Sequence, residues 1–219
     1  MSQFTAIYTK MLIFSNCSAN FCSFLGANMH CSIKVNHISK LFTDDLDCGL
    51  HLVPKITNEH IKLTPYSVMN VKLAVQVLSD SVYQALKTYG PPEAIATANF
   101  CKMFDNFFDC MNVRNTQEAI LKRKEFLKPY ESSDDQRFTW LIDTFLKYFS
   151  DWEECIADRP SQFSDNAKAK MFISWQTYEG VKITVHSILD VVKYLLSKGV
   201  PYVLTERFCQ DPLENYFGR

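Results

Sequence analysis

Phe100-Cys-Lys-Met-Phe-Asp-Asn-Phe-Phe-Asp-Cys-Met-Asn112 carries two patterns at once. Phe100, Met103, Phe104, Phe107 and Met111 recur every three or four residues, the period of one helix face. Lys102, Asp105, Asp109 and Asn112 recur at the same period on a polar face, with Phe108 beside them. A half-exposed strand would instead alternate apolar and polar residues. The spacing predicts a helix from about Glu93 to Val113, begun after the hard stop Gly90-Pro91-Pro92.

The same punctuation extends outward. Upstream, Thr64 and Pro65 supply a cap and a first helical position, and Val68, Val71, Val75, Leu78, Val82 and Leu86 predict one long amphipathic helix ending at Gly90. Downstream, Ser133-Asp134-Asp135-Gln136 reads as a capping box. It opens a third helix with Phe138, Leu141, Ile142, Phe145, Phe149 and Trp152 inward. A fourth segment starts near Ser164 and runs through Met171 and Trp175. Gly180 is expected to interrupt it before a second piece, Ile188, Val192 and Leu195, reaches Gly199. Only Tyr202-Val203-Leu204, after Pro201, reads as a strand. The fold class is mainly α.

Composition narrows the functions. In 219 residues, 47% hydrophobic content suffices for one substantial core, and 17 Phe, 10 Tyr and 3 Trp argue against disorder. A net charge of -1 leaves no electrostatic footprint for nucleic acid. The basic run Lys122-Arg123-Lys124, continuing past Glu125 to Lys128, reads as a solvated helix face. No stretch approaches the ~18 consecutive apolar residues of a membrane span.

Residues 1–34 hold two formal charges, Lys10 and Lys34. A signal peptide is not supported, because Met11-Leu-Ile-Phe14 is a short apolar run broken by Ser15, Asn16 and Ser18. The eight cysteines are scattered, which predicts reduced, intracellular thiols. Cys17, Cys22, Cys48 and His51 follow the order of a Cys3His zinc site, and of a THAP zinc finger. The short gap and the missing Pro, Trp and Phe signature make this a coincidence of spacing.

No phosphate loop, nucleophile elbow or H-E-x-x-H motif occurs. His186, on an apolar helix, reads as a packed residue rather than a ligand. Two places could carry chemistry. Asp211 and Glu214 lie three apart in Asp211-Pro-Leu-Glu214. They form either a helix start with Asp as cap, Pro at the first position and Glu at the third, or a pair that binds a divalent cation or acts in catalysis. The stripe Lys102, Asp105, Asp109 and Asn112 is either a solvent face or a base pocket. In the pocket reading, an Asp carboxylate accepts the ring N–H and amino group of guanine while Phe108 stacks on the base. Such matched bonds exclude adenine, which would leave buried polar groups unpaired.

Several stretches resemble the insertion domain of P element transposases and their THAP-domain relatives. They are Leu50-His-Leu-Val-Pro-Lys-Ile-Thr-Asn-Glu-His-Ile-Lys-Leu-Thr-Pro-Tyr-Ser67, Val71-Lys-Leu-Ala-Val-Gln-Val-Leu-Ser79, Phe107-Phe-Asp-Cys-Met-Asn-Val-Arg114 and Phe172-Ile-Ser-Trp-Gln-Thr-Tyr-Glu-Gly180. The tail Leu204–Gly218 resembles the start of that family's closing RNase H-like segment. The resemblance covers roughly residues 35 to 219 and leaves 1–34 unassigned.

The resemblance implies a helical GTP-binding insertion domain over 35–185. It also implies a partial RNase H-like segment over 186–219, a short strand-helix remnant. It places Glu214 at the catalytic Glu and Asp211 near the GTP phosphates and their Mg2+, so that both carboxylates are metal candidates. Lys55 would meet the triphosphate, Phe108 would stack on the base, and Asp109 and Asn112 would recognise guanine. Val71 and Ser79 would line the same pocket. Asn70 stands where a basic side chain is expected, which weakens the phosphate part of the site. GTP, Mg2+ and transposon DNA are the implied cofactors and partner, with no membrane, a nuclear location, and room for a homo-oligomer. In the family GTP bridges to DNA and is not a hydrolysed fuel, so the missing phosphate loop is no objection. Two-metal chemistry needs several carboxylates to hold the ions about 3.5–4 Å apart, and Glu214 alone cannot do that. The expectation is an incomplete transposase, inactive in strand transfer by itself. The alternative is a helical protein-interaction module without nucleotide binding.

Overall fold

The computed structural model describes residues 21–23, 31–47, 51–62, 64, 67, 70–158, 164, 168 and 171–208. Within them the chain is mainly helical, as its periodicity predicts. A short antiparallel pair, Phe21–Ser23 with Cys31–Ile33, precedes the helices. The chain forms two compact units, Met1–Asp105 with Lys147–Val181 and Asn106–Leu146 with Lys182–Arg219.

In the first unit the helix Val35–Leu46 turns Ile38, Leu41 and Phe42 inward. Its last turn carries Asp45, whose buried carboxylate accepts the backbone N–H groups of Leu52 (2.5 Å) and Val53 (3.3 Å). That side chain fixes the loop that bears Lys55. A capping box then starts the short helix Asn58–Ile61, with Thr57 and His60 bonding each other's backbone N–H groups. His60 is buried and its Nε2 meets Gln76 Oε1 at 3.0 Å.

The expected single helix to Gly90 is two, Val71–Val77 and Asp80–Tyr89. The Thr64 cap bond does form, from the Ser67 N–H to Thr64 Oγ1 at 3.1 Å. The α-helix nevertheless starts later, with Asn70 as its cap. The break falls at Leu78 and Ser79. The Ser79 hydroxyl donates to the Gln76 carbonyl at 2.8 Å and accepts from the Val82 N–H at 3.5 Å. Serine thus offers the backbone a competing partner, ending one helix and capping the next. Of the expected stripe, Leu78, Val82 and Leu86 are buried, whereas Val71 and Val75 are half-buried and Leu73, Ala74 and Val77 face the core instead.

Gly90 closes the second of these helices. A Cβ there would lie 2.3 Å from the Leu86 carbonyl oxygen, so no side chain fits. Pro92 then starts a 3-10 turn that runs into the helix Ile95–Met111. Phe100 and Phe104 from this helix meet an aromatic cluster of Tyr148, Phe149, Trp152, Phe172 and Tyr178. Each such pair is worth about 0.5–1.5 kcal/mol beyond its burial. The Ser150 and Tyr178 hydroxyls meet at 3.2 Å within it.

In the second unit Phe107 stacks on Phe145 at 4.1 Å, and Tyr130 on Phe138 at 5.4 Å. The cap of the helix Gln136–Trp140 is Asp135, two positions after Ser133, which opens the expected box Ser133-Asp134-Asp135-Gln136. Asp135 Oδ1 accepts the Arg137 N–H at 2.9 Å, and its carboxylate also holds the Arg137 guanidinium, Nη2 to Oδ2 at 2.6 Å. The guanidinium donates further to the carbonyls of Phe126, Lys128 and Pro129 and lies 3.6 Å over the Tyr130 ring. A π-helical turn, Leu141–Leu146, carries this helix on into Lys147–Ala157.

Gly180 does not interrupt the last long helix, which runs unbroken from Trp175 to Ser197. A helical glycine costs only about 1 kcal/mol relative to alanine, and Tyr178, Val181 and Val185, buried around it, offset that cost. His186 on this helix is exposed, not packed as expected. Gly199 ends the segment at φ +85°, a left-handed backbone that suits glycine. The expected strand at Tyr202–Leu204 is reduced to one bridge, Val203 with Tyr130.

Burial alone would raise the Asp135 carboxyl. The hydrogen bonds and charge of Arg137 outweigh that and hold it below the usual carboxylate range. Its contribution is therefore complete above the ordinary pKa of about 4 and is lost as pH falls through the lower folded-state value. Asp135→Asn is expected to cost about 2–3 kcal/mol at pH 7, because it leaves a buried guanidinium without its counter-charge. Urea denaturation at pH 7 and pH 3 checks this, and the difference between variant and parent should shrink at the lower pH.

Candidate functional site

The polar stripe is not a solvent face. Asp105 and Asp109 are only 7% and 6% exposed, and each carboxylate is met by a lysine. Burying an ionised carboxylate without a counter-charge costs several kcal/mol, so the lysines are a condition of the arrangement.

In the first unit Lys102 Nζ lies 2.8 Å from Asp80 Oδ1 and 3.4 Å from Asp105 Oδ2. Asp80 stands at the start of the helix Asp80–Tyr89, where the exposed N–H groups also favour a carboxylate. Cys101, next along the helix, is fully buried, and burial followed by the Asp105 charge pushes its thiol up to about 12. It stays protonated and inert at neutral pH.

In the second unit Asp109 Oδ2 receives Lys124 Nζ at 2.9 Å, with side chains 8% and 25% exposed. The lysine arrives by a backbone device that the sequence did not disclose. The helix Glu118–Lys122 stops at Arg123, which sits left-handed at φ 53°, ψ 42°, and the Lys124 N–H bonds back to the Ala119 carbonyl at 3.0 Å. This is an αL-type helix end. It turns Lys124 out of the basic run that reads as a solvated face and onto Asp109. Arginine gives no hint of such a turn, which glycine or asparagine would have marked.

The helix Ile95–Met111 ends in the same unit, and its last carbonyls need partners. Asn112 Nδ2 donates to the Phe108 carbonyl at 2.9 Å. Tyr130 Oη and Thr205 Oγ1 both donate to the Cys110 carbonyl, at 3.3 Å and 2.8 Å. Thr205 Oγ1 also accepts the Val113 N–H at 3.1 Å. Burial pushes the Cys110 thiol up to about 12, so it too is a structural residue.

The remaining sequence candidates fall as follows. Lys55 is exposed on the loop held by Asp45, and Val71 is half-buried at the first position of its helix. Ser79 is the half-buried cap of the next helix. Asn70, where a basic residue is expected, accepts the Lys72 N–H at 3.0 Å, a capping role that a basic side chain could not fill. Lys55, Val71 and Ser79 belong to the first unit, and Phe108, Asp109 and Asn112 to the second. Asp211 and Glu214 lie outside the described residues, as do Cys17 and Cys48 of the zinc-like pattern. His51 faces Asp45 instead, Nδ1 to Oδ2 at 3.5 Å. No cluster of three metal-ligating side chains occurs among the described residues. None of the helices they form is long and apolar enough to cross a membrane.

The TNP-like, GTP-binding insertion domain family matches residues 11–124, just over half of the chain. The match begins within the stretch that the sequence leaves unassigned. The Transposable element P transposase of Drosophila melanogaster is 26% identical over 177 residues, covering 77% of this chain and 21% of that protein. The chain thus spans about a fifth of the length of that relative. The Drosophila P element transposase strand transfer complex has the same fold at a TM-score of 0.69 and 20% identity, covering 99% of this chain and 44% of the other.

Two substitutions separate the turn from the ion pair it delivers. Arg123→Gly should raise stability by about 0.5–1 kcal/mol, because glycine adopts the left-handed backbone without strain. Lys124→Ala should lower it by about 1–3 kcal/mol, since it removes the Lys124 charge from the buried Asp109. Chemical denaturation of both variants measures the two signs.

Proposed function

Because the chain belongs to the TNP-like, GTP-binding insertion domain family, we propose that it binds GTP through residues of the matched segment. The observation that carries the reading is the position of the candidates. Lys55, Val71, Ser79, Phe108, Asp109 and Asn112 all lie within residues 11–124.

The chemistry of Asp109 supports the base assignment. A buried, ionised carboxylate held at a helix end is a fixed acceptor for two N–H donors. Guanine presents such a pair in its ring N–H and amino group, and adenine does not. On binding, these donors replace the ammonium of Lys124. Phe108 would stack on the base and Asn112 would add a polar contact, while Val71 and Ser79 are the family-implied candidates of the first unit. Lys55, exposed in the first unit, is the family-implied candidate for the triphosphate.

Residues 35–185 would form the insertion domain and 186–219 the beginning of an RNase H-like segment. In that segment Asp211 would approach the phosphates and their Mg2+, and Glu214 would hold a catalytic metal. Transposon DNA would be the macromolecular partner and the nucleus the site of action.

A module without nucleotide binding is the second reading, favoured by the pairing of Asp105 and Asp109 with lysines. Thermal melting with nucleotide and Mg2+ distinguishes the two. GTP at about 100 times its Kd should raise Tm by on the order of 5–10 °C, and ATP should not. Asp109→Ala should abolish the shift. Equal melting with and without GTP leaves only the interaction module. A GTP shift that persists in Asp109→Ala moves the base pocket elsewhere.

A further inference from the structure

The second unit also holds a cleft of about 720 Å3, lined by none of the stripe residues and inside the size range of ligand pockets. Its floor is Phe126 against Trp140, edge to face at 4.8 Å, both half-buried. At one side Ile120 projects with 77% of its surface exposed.

The charges of the lining select the occupant. Four carboxylates, Glu125, Glu131, Asp134 and Asp135, face two cations, Lys128 and Arg137. Both cations are already held, Lys128 by Glu125 at 3.0 Å and Arg137 by Asp135 and three backbone carbonyls. Glu131 and Asp134 remain exposed. A phosphate-bearing ligand would meet net negative charge and no available donor cation, so nucleotides and DNA are disfavoured. A guanidinium or ammonium gains twice, from the aromatic faces and from the two carboxylates. The exposed Ile120 adds a contact for an apolar neighbour, which a small inorganic cation lacks.

We propose that this cleft docks a basic segment of a partner protein. An arginine or lysine stem lies along Phe126 and Trp140 with its head at Glu131 and Asp134, and an adjacent apolar residue covers Ile120. This site is independent of the nucleotide reading, because it uses none of the same residues.

Fluorescence anisotropy of the labelled peptide Leu-Arg-Lys-Arg-Leu against the full chain tests it. Saturable binding is expected for this peptide, and none for Leu-Glu-Glu-Glu-Leu. Reversing both carboxylates, Glu131→Lys with Asp134→Lys, should weaken binding about tenfold or more. These positions are exposed, so a circular dichroism melt should show the fold retained. Ile120→Ser should weaken binding severalfold. The control reversal Glu153→Lys with Glu154→Lys, in the first unit, should leave the affinity unchanged. Four results would overturn the proposal: no binding of the basic peptide at about 1 mM, equal binding of the acidic peptide, an equal loss in the control reversal, or self-association that vanishes with Glu131→Lys and Asp134→Lys. The last would make a second copy of the chain the occupant.

Discussion

The end of the helix Ile95–Met111 is the constraint on which the second unit depends. A helix leaves four carbonyls without intrahelical partners, and a buried unpaired carbonyl costs about 1–3 kcal/mol. Here the partners come from far along the chain. Tyr130 and Thr205 both donate to the Cys110 carbonyl, and Thr205 also receives the Val113 N–H. One hydroxyl thereby ties residue 205 to residues 110 and 113, and the bridge between Tyr130 and Val203 runs alongside. Tyr130 is held in turn under the Arg137 guanidinium. The network closes a loop of nearly a hundred residues with few side chains, and its energy resides in satisfied polar groups as much as in buried area.

Much of this architecture was legible because helices announce themselves by period and punctuation. The expected apolar phase holds at Leu78, Val82 and Leu86 but not before the break, where Leu73, Ala74 and Val77 are buried and Val71 and Val75 only half so. A serine that stops one helix and caps the next resets the face that is buried, so a single stripe drawn through it is in phase on one side only. Gly180 shows the opposite limit. A glycine is a break only when nothing nearby offsets its entropy, and buried Val181 and Val185 supply packing that a local reading does not weigh. Two features were not legible at all. Thr205 meeting Cys110 is a contact across 95 positions, for which local pattern carries no signal. Arg123 in a left-handed turn violates residue preference, and no residue around it in the sequence marks the turn.

The same turn explains why the stripe was hard to judge from sequence. Periodicity places Asp105 and Asp109 on one face but cannot say whether that face meets water. Lys102, three residues before Asp105, could be anticipated from helical spacing. Lys124 could not, since it reaches Asp109 only after the chain leaves its helix and reverses. A polar stripe with one visible cation and one hidden one reads as solvated surface. With both in place it is a buried, neutralised pair of carboxylates.

Neutralisation also shapes what a ligand at Asp109 would experience. The carboxylate has already lost most of its hydration, so a new donor need not strip water from it. It must instead displace an ammonium about 3 Å away, in surroundings where such attraction is stronger than in water. Lys124 is a quarter exposed, so it can swing out and recover hydration, whereas Asp109 cannot. The exchange therefore favours a ligand with two fixed donors over one with a single donor, because only the former replaces the lost charge interaction with paired hydrogen bonds. Selectivity for a two-donor base would then arise from the lysine it displaces as much as from the carboxylate it meets.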